Sequence, residues 1–296
     1  MKYLVTGSSG LIGSQLVFDL EQSGEIVYSC YQNTKPLHGI PVKLDLLNLE
    51  NISKIFQKLQ PDIVVHLAAL TDVEQCESKS KLAYLINSKA TEQIAKECEQ
   101  IKCFLVYVST DYVFDGKKGF YDETDSPNPI NQYGKTKLDG EKAVQNISTS
   151  WSILRTSTPF GNHLTKKTFP VWVVENIKNN NKLNIIEDQF TSPTFVPNLT
   201  QMILEVIKRR LEGIIHLSGS TRISRYDFAK IIVNKLNLNP LLLKSVKMNS
   251  IPWKSKRPFD SSFNISKAKL TLTLKPFSIE QSLQNYIPLL KESFSL

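Results

Sequence analysis

The chain has 296 residues, 41% hydrophobic and 22% charged, with a formal net charge of +8. That length suits one large or two modest domains around a buried core, the composition excludes a disordered or fibrous chain, and no apolar run reaches the length of a membrane span. The lysines are scattered rather than gathered into a stripe, so the charge reads as solvated surface that helps attract an anionic small ligand, with no nucleic-acid and no membrane partner expected.

In chain order, Met1-Lys2-Tyr3-Leu4-Val5-Thr6-Gly7 passes straight into a strand, leaving no place for a signal peptide and making a cytoplasmic location the expectation. Strand patterns at 2–6, 26–31, 41–44, 62–67, 102–109 and 152–156 alternate with helical ones at 11–22, 49–59, 79–100 and 133–146. This alternation predicts an α/β fold: a Rossmann-type, doubly wound parallel sheet. Residues 115–131, rich in Gly, Asp, Pro and Asn, read as an active-site loop. Beyond about residue 160 the alternation weakens, with helices near 169–179, 197–211 and 224–236 and strands near 183–187 and 213–217. The expected organisation is an NAD(P)-binding domain over 1–160 and a smaller mixed α/β substrate domain over 161–296, with some segments returning to the first. Cys30, Cys76, Cys98 and Cys103 share no metal-ligand spacing and are expected to be reduced; no metal site is predicted.

Thr6-Gly7-Ser8-Ser9-Gly10-Leu11-Ile12-Gly13 joins the first strand to the first helix. Gly7 allows a tight turn, Gly10 lets the backbone approach a pyrophosphate, and Gly13 permits close helix–sheet packing at a helix N-terminus that favours anions. At the end of the second strand, Tyr31-Gln32-Asn33 carries no carboxylate to repel a 2′-phosphate, and Lys35 is near, which favours NADPH while leaving NADH open. Asp45 follows the third strand, where such folds contact adenine, and Ala68-Ala69 after the fourth lets a ribose lie against the backbone; His66 before them reads as a packing residue.

Reducing a ketone needs a hydride donor and a proton donor. Tyr133 suits the second role, and Lys137, four residues on and so on the same helix face, favours its phenolate and is placed to hold the nicotinamide ribose. Thr110, at the end of the preceding strand, is suited to hydrogen-bond the carbonyl, and Asn87 is a further polar candidate for a water or relay.

The runs Ser109-Thr110-Asp111-Tyr112-Val113-Phe114-Asp115-Gly116, Tyr133-Gly134-Lys135-Thr136-Lys137-Leu138-Asp139-Gly140-Glu141, Leu154-Arg155-Thr156-Ser157, Asp188-Gln189-Phe190-Thr191-Ser192-Pro193-Thr194 and Arg257-Pro258 resemble, in order and spacing, the dTDP-4-dehydrorhamnose reductase family of extended short-chain dehydrogenases. The resemblance implies NADPH-dependent reduction of the 4-keto group of a nucleotide-activated 6-deoxy-hexulose, dTDP-4-dehydro-L-rhamnose giving dTDP-L-rhamnose. It implies Thr110, Tyr133 and Lys137 as catalytic residues. It places Gly7, Ser9, Gly10, Leu11, Ile12, Gly13, Asp45, Leu46, Ala68, Ala69, Tyr133 and Lys137 at the cofactor. Thr71, Val73, Thr110, Asp111, Gln189, Phe190, Ser192 and Arg257 fall at the nucleotide-sugar substrate. Thr158-Pro159 stands where well-studied members carry a tryptophan against the sugar. Gln15 replaces the acidic residue through which some members bridge a dimer by magnesium, so a homodimer is allowed but that metal is not expected, although Glu187 and Asp188 keep the other half of the pattern. The same motifs resemble the NADP-binding regulatory β subunit of methionine adenosyltransferase, and a 4-ketoreductase for a different nucleotide sugar is a further alternative.

Overall fold

The computed structural model describes residues 1–295; Leu296, the last residue of the expected substrate domain, lies outside them. In chain order the first half runs β1 (Lys2–Thr6), α1 (Leu11–Gln22), β2 (Ile26–Tyr31), β3 (Ile40–Lys43), α2 (Leu49–Leu59), β4 (Ile63–His66), α3 (Val73–Ser78), α4 (Ser80–Tyr84), α5 (Ala90–Ile101), β5 (Phe104–Thr110), α6 (Gln132–Ile147) and β6 (Trp151–Thr156). The second half runs β7 (Pro159–Phe160), α7 (Phe169–Lys178), β8 (Leu183–Ile186), β9 (Phe190–Thr191), β10 (Thr194–Phe195), α8 (Val196–Arg209), β11 (Gly213–His216), β12 (Ile223–Ser224), α9 (Arg225–Lys235), β13 (Leu243–Val246), α10 (Ser266–Thr271) and α11 (Ile279–Phe294).

Seven strands form one parallel sheet in the order β11-β6-β5-β4-β1-β2-β3. Its central strands β1, β4, β5 and β6 are largely buried on both faces because helices cover both. Tyr3 and Val5 of β1 and Phe104, Val106 and Val108 of β5 join a core with Leu16 and Leu20 of α1 and Leu199, Met202 and Val206 of α8. Leu4, Leu105 and Tyr107 point the other way, into a core with Phe56 of α2, Ile94 of α5 and Val144 of α6. From β1 the chain winds first to β2 and β3, then returns to β4, β5 and β6, so the strand order reverses between β1 and β4. In open α/β sheets that reversal leaves a crevice at the carboxyl ends of the strands, where ligands bind.

The second half contributes β11, α8 and α10 to this body. Most of its other elements pack around Phe160, Phe195, Phe228, Leu283 and Tyr286, and around Val173, Ile177, Ile185 and Val233, with β13 parallel to β8. Among the described residues no helix is long and apolar enough to cross a membrane.

The single helix predicted over 79–100 is instead three pieces: α4, a π-helical turn over Leu85–Lys89, and α5. The break is centred on Asn87. Its side chain accepts from the amide of Leu70 at 2.8 Å and donates to the Leu70 carbonyl and to Thr136 Oγ1, both at 3.1 Å. Wide turns of this kind mark places where a helix is bent to serve a contact. Gly140 makes the contact with α6 feasible, since a Cβ there would stand 2.7 Å from the Asn87 carbonyl oxygen and 2.5 Å from the Tyr107 hydroxyl.

Two fully buried histidines close strands β4 and β11. His216 donates from Nδ1 to the Tyr121 carbonyl at 3.1 Å, while Nε2 faces Arg155 Nη1 at 3.4 Å and the ring stacks on Phe263 with 4.0 Å between centroids. Burial first, then the Arg155 cation, holds its pKa at about 3. Burial and the nearby Lys137 hold His66 at about 3 as well. In the folded chain both stay neutral down to that pH, whereas the unfolded chain protonates them below about 6.5. Stability is therefore expected to fall as the pH drops from about 6.5 toward 3, each histidine contributing on the order of 1 kcal/mol per pH unit. Urea midpoints measured across that interval check this: a His216→Phe variant that keeps the full acid slope would remove His216 from the account.

Candidate active site

One cavity of about 820 Å³ opens at the crevice between β1 and β4. Gly7, Ser9, Gly10, Leu11, Ile12 and Gly13 line one end, with Asp45, Leu46, Ala68 and Ala69 beside them. Thr110, Asp111, Tyr133 and Lys137 line the same cavity, as do Thr71, Val73 and Arg257.

The glycine turn is built for close approach. Gly7 sits at φ +68°, and a Cβ on it would lie 2.8 Å from the Ala68 amide nitrogen; a Cβ on Gly13 would lie 2.2 Å from the Gly7 carbonyl oxygen. Side chains are thus excluded where α1 begins, and α1 has no acidic residue in its first turn. Bare backbone at a helix N-terminus fits the phosphates of a dinucleotide. At the end of β2 the lining is Tyr31, Gln32, Asn33 and Thr34, and Gln32 Nε2 donates to Asp45 Oδ1 at 3.1 Å. Lys35 follows directly on this lining in the chain.

The turn is tied to α6 by a continuous chain of hydrogen bonds. Thr6 Oγ1 accepts from the amides of Leu67 and Ala68, both at 3.1 Å, and so donates its own proton to His66 Nδ1 at 2.7 Å. His66 Nε2 must then donate to Thr91 Oγ1 at 3.0 Å, and Thr91 donates to the Asn87 carbonyl at 2.8 Å. Asn87 reaches Thr136, which donates to the Tyr133 carbonyl at 3.0 Å. His66 is thus buried as a satisfied link rather than facing the cavity.

Helix α6 begins at the Asn131 cap, whose Oδ1 accepts from Gly134 N at 2.9 Å while its Nδ2 donates to the Lys256 carbonyl at 2.9 Å. From there Tyr133 and Lys137 project one turn apart into the cavity. Lys137 Nζ donates to the Val108 carbonyl at 2.8 Å and lies 4.0 Å from the Tyr107 ring centroid. Burial brings its pKa down to about 7, with the Glu141 carboxylate pulling the other way. Burial pushes the Tyr133 phenol well above its ordinary value, with the nearby Thr110 hydroxyl acting in the opposite direction. The two groups therefore sit as a protonated phenol beside an amine that titrates near neutrality. Asp111 is buried, and its carboxylate accepts from Ser157 at 3.0 Å, Ser261 at 2.5 Å and Thr110 at 3.1 Å. Burial raises its pKa despite those bonds.

Three predicted substrate residues are not brought to this cavity. Gln189 is buried, accepting from Arg225 Nε at 2.8 Å and donating to the Pro258 carbonyl at 3.3 Å. Phe190 lies under the Arg222 guanidinium, 3.7 Å from its ring centroid, and Ser192 Oγ accepts from the Phe263 amide at 3.1 Å. They hold the segments that carry Arg225 and Arg257, both of which line the cavity. Arg257 Nη2 pairs with Glu74 Oε1 at 3.2 Å, and its Nε is buried without a partner. Sequence reasoning missed Lys166, Lys167 and Arg225, which line the cavity from the second half; the Thr-Lys-Lys-Thr run at 165–168, between a strand and a helix, was the available signal. Among the described residues no group of three or more His, Cys, Asp and Glu side chains is placed to hold a metal ion; Glu187 pairs with Lys247 at 3.0 Å and Gln15 donates to Asp19 at 2.8 Å.

The family described as RmlD substrate binding domain matches residues 1–291. A probable low-salt glycan biosynthesis reductase of Haloferax volcanii is 30% identical, covering 96% of each chain. Methionine adenosyltransferase 2 subunit beta of Xenopus tropicalis is 31% identical over 84% of this chain and 78% of its own length. The crystal structure of dTDP-4-dehydrorhamnose reductase from Bacillus anthracis in complex with NADP superposes with a TM-score of 0.89, at 30% identity, covering 97% of this chain and 99% of that one.

Proposed function

The chain belongs to the RmlD substrate binding domain family, and from that premise we propose that this oxidoreductase uses NADPH, with NADH as a second donor, to reduce the 4-keto group of a nucleotide-activated 6-deoxy-hexulose, dTDP-4-dehydro-L-rhamnose giving dTDP-L-rhamnose. The observation that carries the reading is the meeting of Thr110, Tyr133 and Lys137 with the glycine turn on one cavity. Gly7, Ser9, Gly10, Leu11, Ile12, Gly13, Asp45, Leu46, Ala68, Ala69 and Lys137 hold the dinucleotide, with 1–160 as the cofactor-binding part and 161–296 as mainly the substrate-binding part. When bound, the reduced nicotinamide supplies a hydride to the carbonyl carbon. Tyr133, kept protonated by burial, donates its proton to the carbonyl oxygen. The Lys137 ammonium then steadies the phenolate, and the Thr110 hydroxyl orients the carbonyl. Arg257, with a planar guanidinium facing the cavity and a free buried Nε, suits the substrate diphosphate, with Thr71, Val73 and Asp111 nearby.

The test is NADPH oxidation, followed by absorbance, with enzymatically generated dTDP-4-dehydro-L-rhamnose. Rapid turnover is the expected result. A second reading has support in the similarity to the methionine adenosyltransferase β subunit: tight NADPH binding without turnover of any nucleotide keto sugar, together with co-purification of a methionine adenosyltransferase catalytic chain, would replace the reductase by a regulatory partner. Turnover confined to another nucleotide keto sugar would retain the chemistry and change the substrate.

A further inference from the structure

We propose that Lys166 is a cofactor-binding residue whose ammonium, carried on a strap from the second half of the chain, binds the dinucleotide diphosphate at the glycine turn; this rests on the dinucleotide reading above. Position is the first ground. Lys166 lines the cavity, and its Nζ stands 3.9 Å from the point a Cβ on Gly10 would occupy. That is the stretch of backbone left bare for a phosphate.

Attachment is the second ground. His163 Nε2 donates to the Ser9 carbonyl at 3.1 Å, while Nδ1 accepts the amides of Thr165 at 3.1 Å and Lys166 at 2.9 Å. One neutral imidazole therefore fastens the strap to the glycine turn and sets the backbone of Lys166. Burial lowers the pKa of this ring, which keeps Nδ1 free to accept.

Charge is the third ground. Lys167 is paired with Glu175 at 2.7 Å, but among the described residues no carboxylate lies within 4.0 Å of Lys166 Nζ. An ammonium held against the positive end of α1 is repelled unless an anion lies between them. A diphosphate supplies that anion and receives two sources of positive potential at once.

The experiment is a fluorescence titration of the full chain with NADPH and with NADH, needing no substrate. Lys166→Ala is expected to weaken both dinucleotides by a similar factor, on the order of tenfold, and to leave adenosine 2′-phosphate, which has no diphosphate, unaffected. Lys166→Arg should restore most of the affinity. Lys54→Ala, which removes an exposed lysine on α2, should change nothing. His163→Ala should weaken binding too, and the double variant should be no weaker than the worse single one, because both changes remove the same contact. Unchanged affinity in Lys166→Ala overturns the proposal, and so does a loss confined to NADPH, which would move Lys166 to the 2′-phosphate. Failure of the wild-type chain to bind either dinucleotide would instead overturn the cofactor reading itself.

Discussion

Tyr133→Phe is expected to lower kcat for ketone reduction by about 10²–10⁴-fold while leaving NADPH affinity within a factor of about two, because it removes only the proton donor. The ring keeps its edge contact with Tyr112, whose centroid is 5.8 Å away, so the shape of the cavity is retained. Stopped-flow absorbance separates the chemical step from binding; a variant with wild-type single-turnover rates would remove Tyr133 as the acid. Lys137 makes a second statement about the same step. Its pKa of about 7 means that the charged form, which steadies the phenolate, prevails below that pH and is lost above it. The kcat/KM for reduction should therefore fall as pH rises through about 7. Lys137→Met should be slow at every pH and lack that limb.

The second large effect concerns stability. Arg155 and Glu141 form a buried bidentate pair, Nε to Oε1 at 3.0 Å and Nη2 to Oε2 at 2.7 Å, with side chains only 2% and 1% exposed. The guanidinium carbon also lies 5.1 Å from the Phe114 ring centroid. Glu141→Ala leaves a guanidinium in the interior without its counter-charge and is expected to cost about 3–5 kcal/mol. The loss would be read as a fall in urea midpoint at unchanged slope. Removing both charges as Glu141→Leu with Arg155→Met should cost much less than the sum of the two single changes, since the desolvation penalty leaves with them. Additive losses would mean that the pair contributes through packing alone. Glu141 also raises the pKa of Lys137 one turn before it on α6, so any folded Glu141 variant should show its activity limb at lower pH.

Both predictions turn on α6, whose legibility was uneven. The spacing of Tyr133 and Lys137 is a local property: four residues on a helix return to the same face whatever surrounds them. The same holds for Gly7, Gly10 and Gly13, which encode a turn and a helix start within eight residues, and for the apolar alternation that required a sheet covered on both faces. Those features were readable because backbone geometry and hydrophobic period act over a few residues.

The break of the predicted 79–100 helix at Asn87 was not readable, because its cause is a bond to Thr136, 49 residues away. Nor was the removal of Gln189, Phe190 and Ser192 from the cavity: each spends its polar or aromatic surface on a partner at least 32 residues off, namely Arg225, Arg222 and Phe263. Lys166 reaches the glycine turn through His163, whose bond to Ser9 spans 154 residues. Sequence by itself therefore determined the doubly wound sheet, the glycine turn and the Tyr133–Lys137 pair. Only the tertiary structure decided which polar side chains face the cavity, because a side chain's orientation is settled by the distant partner that satisfies it when the two halves of the chain pack.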